Sequence, residues 1–206
     1  VLEDGAQGFG GAINGKRACS FGDAATTSFF PAKPLGCYGD GGAMFTDDDE
    51  LALLLRSLTV HGKGTEKYDN VRIGRNSRLD TLQAAILITK LKAFDEYELV
   101  AVNRVAAEYT KRLKGIVKTP AVPEGYLSSW AQYTILLENE EQRNGLQAKL
   151  KEKGIPSMIY YPRPLHLQTA FAFCSMGERT FPVAEEASRC VLSLPMHPYL
   201  ADGDVE

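Results

Sequence analysis

The chain has 206 residues, enough for one large domain or two small ones. Its 44% hydrophobic and 24% charged residues are ordinary for a globular protein, and a net charge of −3 offers no basic footprint for nucleic acid. No apolar run approaches the length of a membrane span, and the opening residues show neither the basic nor the apolar region of a secretory leader.

Val1 and Leu2 read as the tail of a buried strand. That strand places Glu3 and Asp4 at its carboxyl end, where open α/β sheets gather functional groups. The GFGGAING run that follows fails as a dinucleotide fingerprint, because Ile13 stands where the third glycine is needed; a glycine-rich turn is predicted. Residues 24–30 are predicted as a short strand leading into Lys33, within the stretch TTSFFPAKPLGCYGDGGAMFT, residues 26–46.

In that stretch Lys33 stands between Pro31 and Pro34. Thr27 and Ser28 precede it, and Gly36, Gly39, Gly41 and Gly42 follow. The prolines fix their own φ and push the residue before each away from helix, so the segment is predicted extended or turned, and rigid. The glycines allow a tight turn and a close approach to the backbone. Most lysines in turns are simply solvated. A stiff backbone that carries one amine into a cramped place suits a lysine that must meet one particular atom.

A helix is predicted from Thr46. Thr46 and Asp49 have capping-box spacing, the acids at 47–50 favour the positive end of its dipole, and Leu51, Leu54, Leu55 and Leu58 form an apolar face. The acidic run lacks the glycine and distal glutamate of an EF-hand loop. Residues 61–68 read as a polar, mobile loop. A second helix is predicted near Arg78, capped by Ser77 or Asn76, with Leu79, Leu82, Ala85, Ile86, Ile88 and Thr89 on a broad apolar face. It continues through Tyr97 to Lys114, with a bend near Asp95, and Gly115 ends it.

PAVPEG at 120–125 marks a boundary, so two domains, 1–122 and 123–206, are expected. Beyond it the pattern predicts a strand at 130–137, an amphipathic helix at 140–153 stopped by Gly154, and a second strand at 155–161. An irregular stretch around Pro162 and Pro164 follows, then a helix at 181–190 and a strand at 191–194. That order is a small α/β or α+β unit. Cys19, Cys37, Cys174 and Cys190 lack zinc or CxxC spacing and read as reduced cytosolic thiols in or near the core; His61, His166 and His197 are far apart, so no metal is expected. The chain opens on VLEDGAQGFGG without methionine and closes on DGDVE, where Asp202 would cap a helix that has no residues left to form it. A piece of a longer protein, cut at both ends, is expected.

Four segments in register resemble the DegT/DnrJ/EryC1/StrS family of sugar aminotransferases: VLEDGAQGFGG, TTSFFPAKPLGCYGDGGAMFT, GRNSRLDTLQAA and IPSMIYYPRPLH. The resemblance covers essentially the whole chain. It implies the α/β fold of the aspartate-aminotransferase-like enzymes (fold type I), which use pyridoxal 5'-phosphate (PLP). Residues 1–122 would be the latter part of the large PLP-binding domain with its long helix, and 123–206 the small C-terminal domain. By the same resemblance Lys33 forms a Schiff base with PLP and then serves as general base. Asp4 pairs with the pyridine nitrogen and keeps the ring protonated. Gln7 lies near the ring's phenolic oxygen, and Ser28, with Thr27 beside it, binds the phosphate. Asn76 reaches across a homodimer interface to the partner's phosphate. Arg78 meets an anionic part of the substrate or amino donor. Tyr160 and Tyr161 approach the neighbouring subunit's site, although family members often carry histidine where Tyr160 stands; His166 is a packed residue after a Pro-Leu turn. The phosphate-binding helix start and the aromatic ring that stacks on PLP would precede Val1.

The function so implied is amino transfer from glutamate to a 3-keto or 4-keto hexose linked to UDP or dTDP. The setting would be surface polysaccharide, such as lipopolysaccharide, or other amino-sugar biosynthesis, in a cytoplasmic homodimer with shared active sites. Three rivals compete with it. A family dehydratase would carry histidine at the position of Lys33. A non-catalytic regulatory or binding module would be expected to lose Asp4 or Lys33. An inert piece would fold only with its missing half or within a dimer.

Overall fold

The structure is a computed structural model and describes residues 1–174 and 180–205. It resolves into two compact units, one of Val1–Asn103 with Val122–Ala131, the other of Arg104–Ala121 with Gln132–Glu206. Val122, where the composition changes, is one of three points at which the chain passes from one unit to the other.

In the first unit β1 (Leu2–Asp4) is followed by a tight hairpin, β2 (Ala12–Ile13) and β3 (Lys16–Arg17), and then by β4 (Ala24–Ser28) and β5 (Gly42–Phe45). β4 is the middle strand of a three-stranded sheet. It runs parallel to β1, with Asp4 opposite Thr26, and antiparallel to β5, with Ser28 opposite Gly42. Burial of the first strand's tail is corrected: Val1 is 88% and Leu2 72% exposed, and β1 stands at the edge of its sheet. β5 escapes a reading of the sequence because GDGGAMF is glycine-rich, and only its ladder with β4 extends it. β6 (Tyr126–Leu127) returns to pair with β2.

Helix α1 (Asp49–Thr59) begins later than predicted. Its N-cap is Asp48, whose carboxylate accepts the Leu51 N–H at 3.0 Å. Thr46 instead donates to the Asp23 carbonyl. Helix α2 (Thr81–Ala93) also starts late, with Asp80 rather than Ser77 or Asn76 at its N-cap position. The reason is tertiary: Arg75 N and Ser77 N bond the Leu58 and Thr59 carbonyls at the end of α1, which holds the chain extended. At Phe94–Glu98 the helix widens into a π-helical turn, at the place where a bend is expected, and continues as α3 (Leu99–Leu113). Gly115 follows at φ +78°.

The core of this unit gathers around Phe9, whose ring centroid lies 6.5, 6.3 and 6.1 Å from those of Phe29, Phe45 and Phe94. Gly10, at φ +90°, lies under the Phe94 ring so closely that a Cβ would come within 2.3 Å of it. Ala25, Leu35, Cys37, Leu87, Leu99 and Val102 are buried in the same unit.

The second unit contains β7 (Tyr133–Leu136), α4 (Glu140–Glu152), α5 (Pro182–Cys190) and β8 (Val191–Leu194). β7 and β8 are antiparallel, and Tyr133, Ile135 and Leu192 between them are almost wholly buried. The Tyr133 and Tyr109 rings are 5.0 Å apart, and each hydroxyl has a partner, Thr110 Oγ1 and the Pro195 carbonyl respectively. Asn139 caps α4 by accepting from Gln142 N, and Gly154 at φ +73° follows its end. The second strand predicted at 155–161 does not form; only Met158 pairs, with Ser193 of β8. Pro156 removes a donor that a longer ladder needs. Asp202 heads a single 3-10 turn, Asp202–Asp204, and pairs with Arg104; Glu206, the end of the DGDVE tail, lies outside the described residues. All four cysteines are free, and Cys174 is exposed rather than near the core. Among the described residues no cluster could hold a metal ion, and no helix is long and apolar enough to cross a membrane.

Candidate active site

Parallel pairing sends β1 and β4 in the same direction. Asp4 therefore ends β1 on the side where Ser28 ends β4, with Gln7 and Lys33 in the turns just beyond. The two strand ends are tied: Gly5 N donates to Thr26 O at 2.8 Å, and the buried Thr27 hydroxyl donates to Gly5 O at 3.1 Å. Asp4 Oδ1 accepts Ala6 N at 3.0 Å, which orients the carboxylate and leaves its other oxygen without a hydrogen bond among the described residues. Gln7 is held through its carbonyl, which accepts from Ser129 Oγ, and its side chain is exposed.

After Ser28 the chain turns sharply. Ser28 Oγ accepts Phe30 N at 3.2 Å, and Lys33 N donates to Phe30 O at 2.9 Å. Cys37 closes the loop from the other side, its N–H and thiol both donating to Phe29 O and the thiol also to Gly39 O. Gly36 is pressed into this loop: a Cβ there would stand 2.6 Å from Pro31 O. The backbone of Lys33 is thus fixed, while its half-buried amine makes no hydrogen bond or ion pair among the described residues.

Two side chains that brace this arrangement escape the sequence reading. Gln83 of α2 accepts Tyr38 N at 2.8 Å, anchoring the far end of the lysine loop; it lies off the apolar face by which that helix is recognised. Glu3 accepts Cys19 N at 2.6 Å and Phe21 N at 2.9 Å, locking the 19–22 turn to β1 beside Asp4. Burial pushes the Glu3 carboxyl up, but the backbone N–H groups of Cys19, Phe21 and Gly22, with the charge of Lys16, outweigh it and hold it below the usual range. Only the pairing of an acid with a turn 16 residues later reveals that role.

Asn76 and Arg78 are exposed and bonded to each other, Arg78 Nε donating to Asn76 Oδ1 at 3.2 Å. Arg78 lines a cavity of about 610 Å³ beside β5, with Gly42, Met44, Leu55 and Thr59. Tyr160 and Tyr161 belong to the second unit, where they line a separate cavity of about 740 Å³.

The donor set at the end of β1 and β4 fits PLP. It offers a carboxylate with a free oxygen for a protonated ring nitrogen, a strand-end hydroxyl for the phosphate, and an unpaired amine for the aldehyde. No side chain among the described residues consumes the amine first.

A model of the DegT/DnrJ/EryC1/StrS aminotransferase family matches residues 1–206. The chain is 48% identical over 207 residues to a UDP-2-acetamido-2-deoxy-3-oxo-D-glucuronate aminotransferase of Pseudomonas aeruginosa, covering 100% of this chain and 55% of that protein. It is 46% identical over 206 residues to a pleiotropic regulatory protein of Geobacillus stearothermophilus, covering 98% and 54%. The crystal structure of a DegT DnrJ EryC1 StrS aminotransferase from Brucella abortus matches it at a TM-score of 0.93 and 54% identity, over 99% of this chain and 54% of that one. The chain therefore spans about half the length of the relatives it matches.

Proposed function

The chain belongs to the DegT/DnrJ/EryC1/StrS aminotransferase family, and from that membership we propose that the full-length protein transfers an amino group from glutamate to a UDP- or dTDP-linked 3-keto or 4-keto hexose, using PLP. The observation that carries the reading is the Lys33 amine, unpartnered among the described residues, on its rigid turn beyond strand ends that bear Asp4 and Ser28. The names of the relatives support the substrate class, that of the Pseudomonas aeruginosa protein specifying a UDP-linked 3-oxo sugar acid.

When bound, PLP supplies an electron sink for the carbon that loses its proton and carries the amino group between two half-reactions. The chain's own residues do the rest. Lys33 Nζ would hold the cofactor and would be the group to move a proton at the reacting carbon. Asp4, one of whose oxygens Ala6 N leaves free, would keep a proton on the ring nitrogen. Ser28, with Thr27 behind it, binds the phosphate, and Gln7 meets the phenolic oxygen. Arg78 meets an anionic group of the substrate or donor as a bidentate partner. Asn76 serves the partner's phosphate across a homodimer interface, and Tyr160 and Tyr161 flank the partner's sugar site. The setting is cytoplasmic, in polysaccharide or lipopolysaccharide amino-sugar synthesis. A regulatory role is the second reading, favoured by the name of the Geobacillus stearothermophilus relative; retention of both Asp4 and Lys33 weighs against it.

The test is chemical. Borohydride reduction of the full-length protein with PLP should fix the cofactor on Lys33, read by peptide mass, and Lys33→Ala should abolish amino transfer with the fold intact. A label on another residue, or undiminished turnover in the variant, sinks the reading. Mixing Lys33→Ala with Asn76→Ala chains should restore one working site per dimer; no recovery counts against sites shared between subunits.

A further inference from the structure

We propose that His166 is a positioning residue: through Glu185 it clamps the segment that carries Tyr160 and Tyr161 to helix α5, so that the two rings are presented in one arrangement. The proposal rests on the reading above that these tyrosines meet substrate.

The segment has few other directional ties. Beyond the Met158–Ser193 bridge, its hydrogen bonds among the described residues are mostly internal. Leu167 N donates to Pro164 O, Gln168 N to Leu165 O and Gln168 Nε2 to Arg163 O, each at 3.0 Å. These shape the turn without attaching it to anything. The attachment is His166, whose Nε2 lies 3.0 Å from Glu185 Oε1. Its ring also packs 4.8 Å from that of Phe181.

Glu185 is a firm anchor. The same Oε1 accepts Phe181 N at 3.0 Å, which fixes the carboxylate at the start of its own helix. The pair is partly shielded from water, with the His166 side chain 13% and that of Glu185 25% exposed. A hydrogen bond to a charged acceptor in such a place is stronger than a neutral one and orients its donor. His166 and the tyrosines line the 740 Å³ cavity together with Ala184 and Ala187 of α5. Apolar packing alone would let the rings slide; the histidine–glutamate bond sets their height along α5. Tyr160 and Tyr161 lie edge to face, with centroids 5.5 Å apart.

Two substitutions in the full-length protein separate bond from bulk. His166→Phe keeps an aromatic ring against Phe181 and removes the donor; His166→Gln keeps a donor and removes the ring. Hydrogen exchange of peptides spanning 158–168 and steady-state kinetics with a nucleotide keto-sugar and glutamate are the readouts. His166→Phe should speed exchange in those peptides about tenfold and raise KM for the sugar about tenfold, with kcat within twofold, the scale of one hydrogen bond to a charged partner. His166→Gln should recover most of both. Wild-type exchange in His166→Phe, or a glutamine variant no better than the phenylalanine one, overturns the clamp. Faster exchange with KM unchanged supports the clamp and overturns the assignment of Tyr160 and Tyr161 to substrate.

Discussion

Replacing Gly36 by alanine tests whether the turn of Lys33 is as tightly set as its hydrogen bonds imply. A Cβ at this buried position would stand 2.6 Å from Pro31 O and 2.8 Å from Phe30 O. Ordinary contact begins near 3.4 Å, so the nearer carbonyl must recede by about 0.8 Å. Both carbonyls lie in the turn, and Phe30 O is the acceptor for Lys33 N. Forcing a methyl group into such a site costs about 1–3 kcal/mol, and a 1 Å displacement of a positioned group costs about 10²-fold in rate. Gly36→Ala in the full-length protein should therefore slow single-turnover amino transfer from glutamate by about 10- to 100-fold, while its thermal melt falls only by several degrees. Stopped-flow absorbance at equal cofactor loading reads the first quantity and calorimetry the second. A rate within twofold of wild type would refute the argument that this loop sets the position of the amine.

Gly145→Ala should do the opposite. The residue lies inside α4 with nothing within 4 Å of a built Cβ, so urea unfolding should show a gain of about 0.5–1 kcal/mol with turnover unchanged; a loss of stability would contradict it. Asp4→Asn retains the oxygen that accepts Ala6 N but not the charge. Turnover should drop on the order of a hundredfold or more with the fold preserved, and a change under threefold would mean another group faces the ring nitrogen. Glu3→Gln addresses pH. The folded-state carboxyl of Glu3 titrates below its ordinary value of 4.5, so the charge stabilises the fold above that value and the benefit disappears as pH falls through the lower folded value. Wild type should lose its margin over the variant on acidification below about pH 4.5; a margin that grows instead would invert the sign of the argument.

Local chemistry made much of this protein legible in its sequence. The proline bracket and glycine run around Lys33 restrict backbone angles whatever lies nearby, and the turn forms there. Apolar spacing located α1 and α4, and glycines 115 and 154 follow helix ends because only glycine adopts positive φ cheaply. The residues now grouped at one end of β1 and β4 were also named from sequence, but only as members of separate segments. Their convergence depends on the parallel register of Asp4 with Thr26, formed between segments 22 residues apart. The same dependence on distant partners explains the differences. Helix α2 begins at Thr81, not near Arg78, because α1 occupies the backbone donors of Arg75 and Ser77; β5 exists because β4 offers it a ladder; and in 155–161, where Pro156 lacks a donor, only Met158 pairs with β8. Angle preferences and hydrophobic periods act over a turn or two and can be read from a string of residues. Hydrogen bonds such as Gln83 to Tyr38, Glu3 to Cys19 and His166 to Glu185 join segments whose proximity is a property of the folded chain alone.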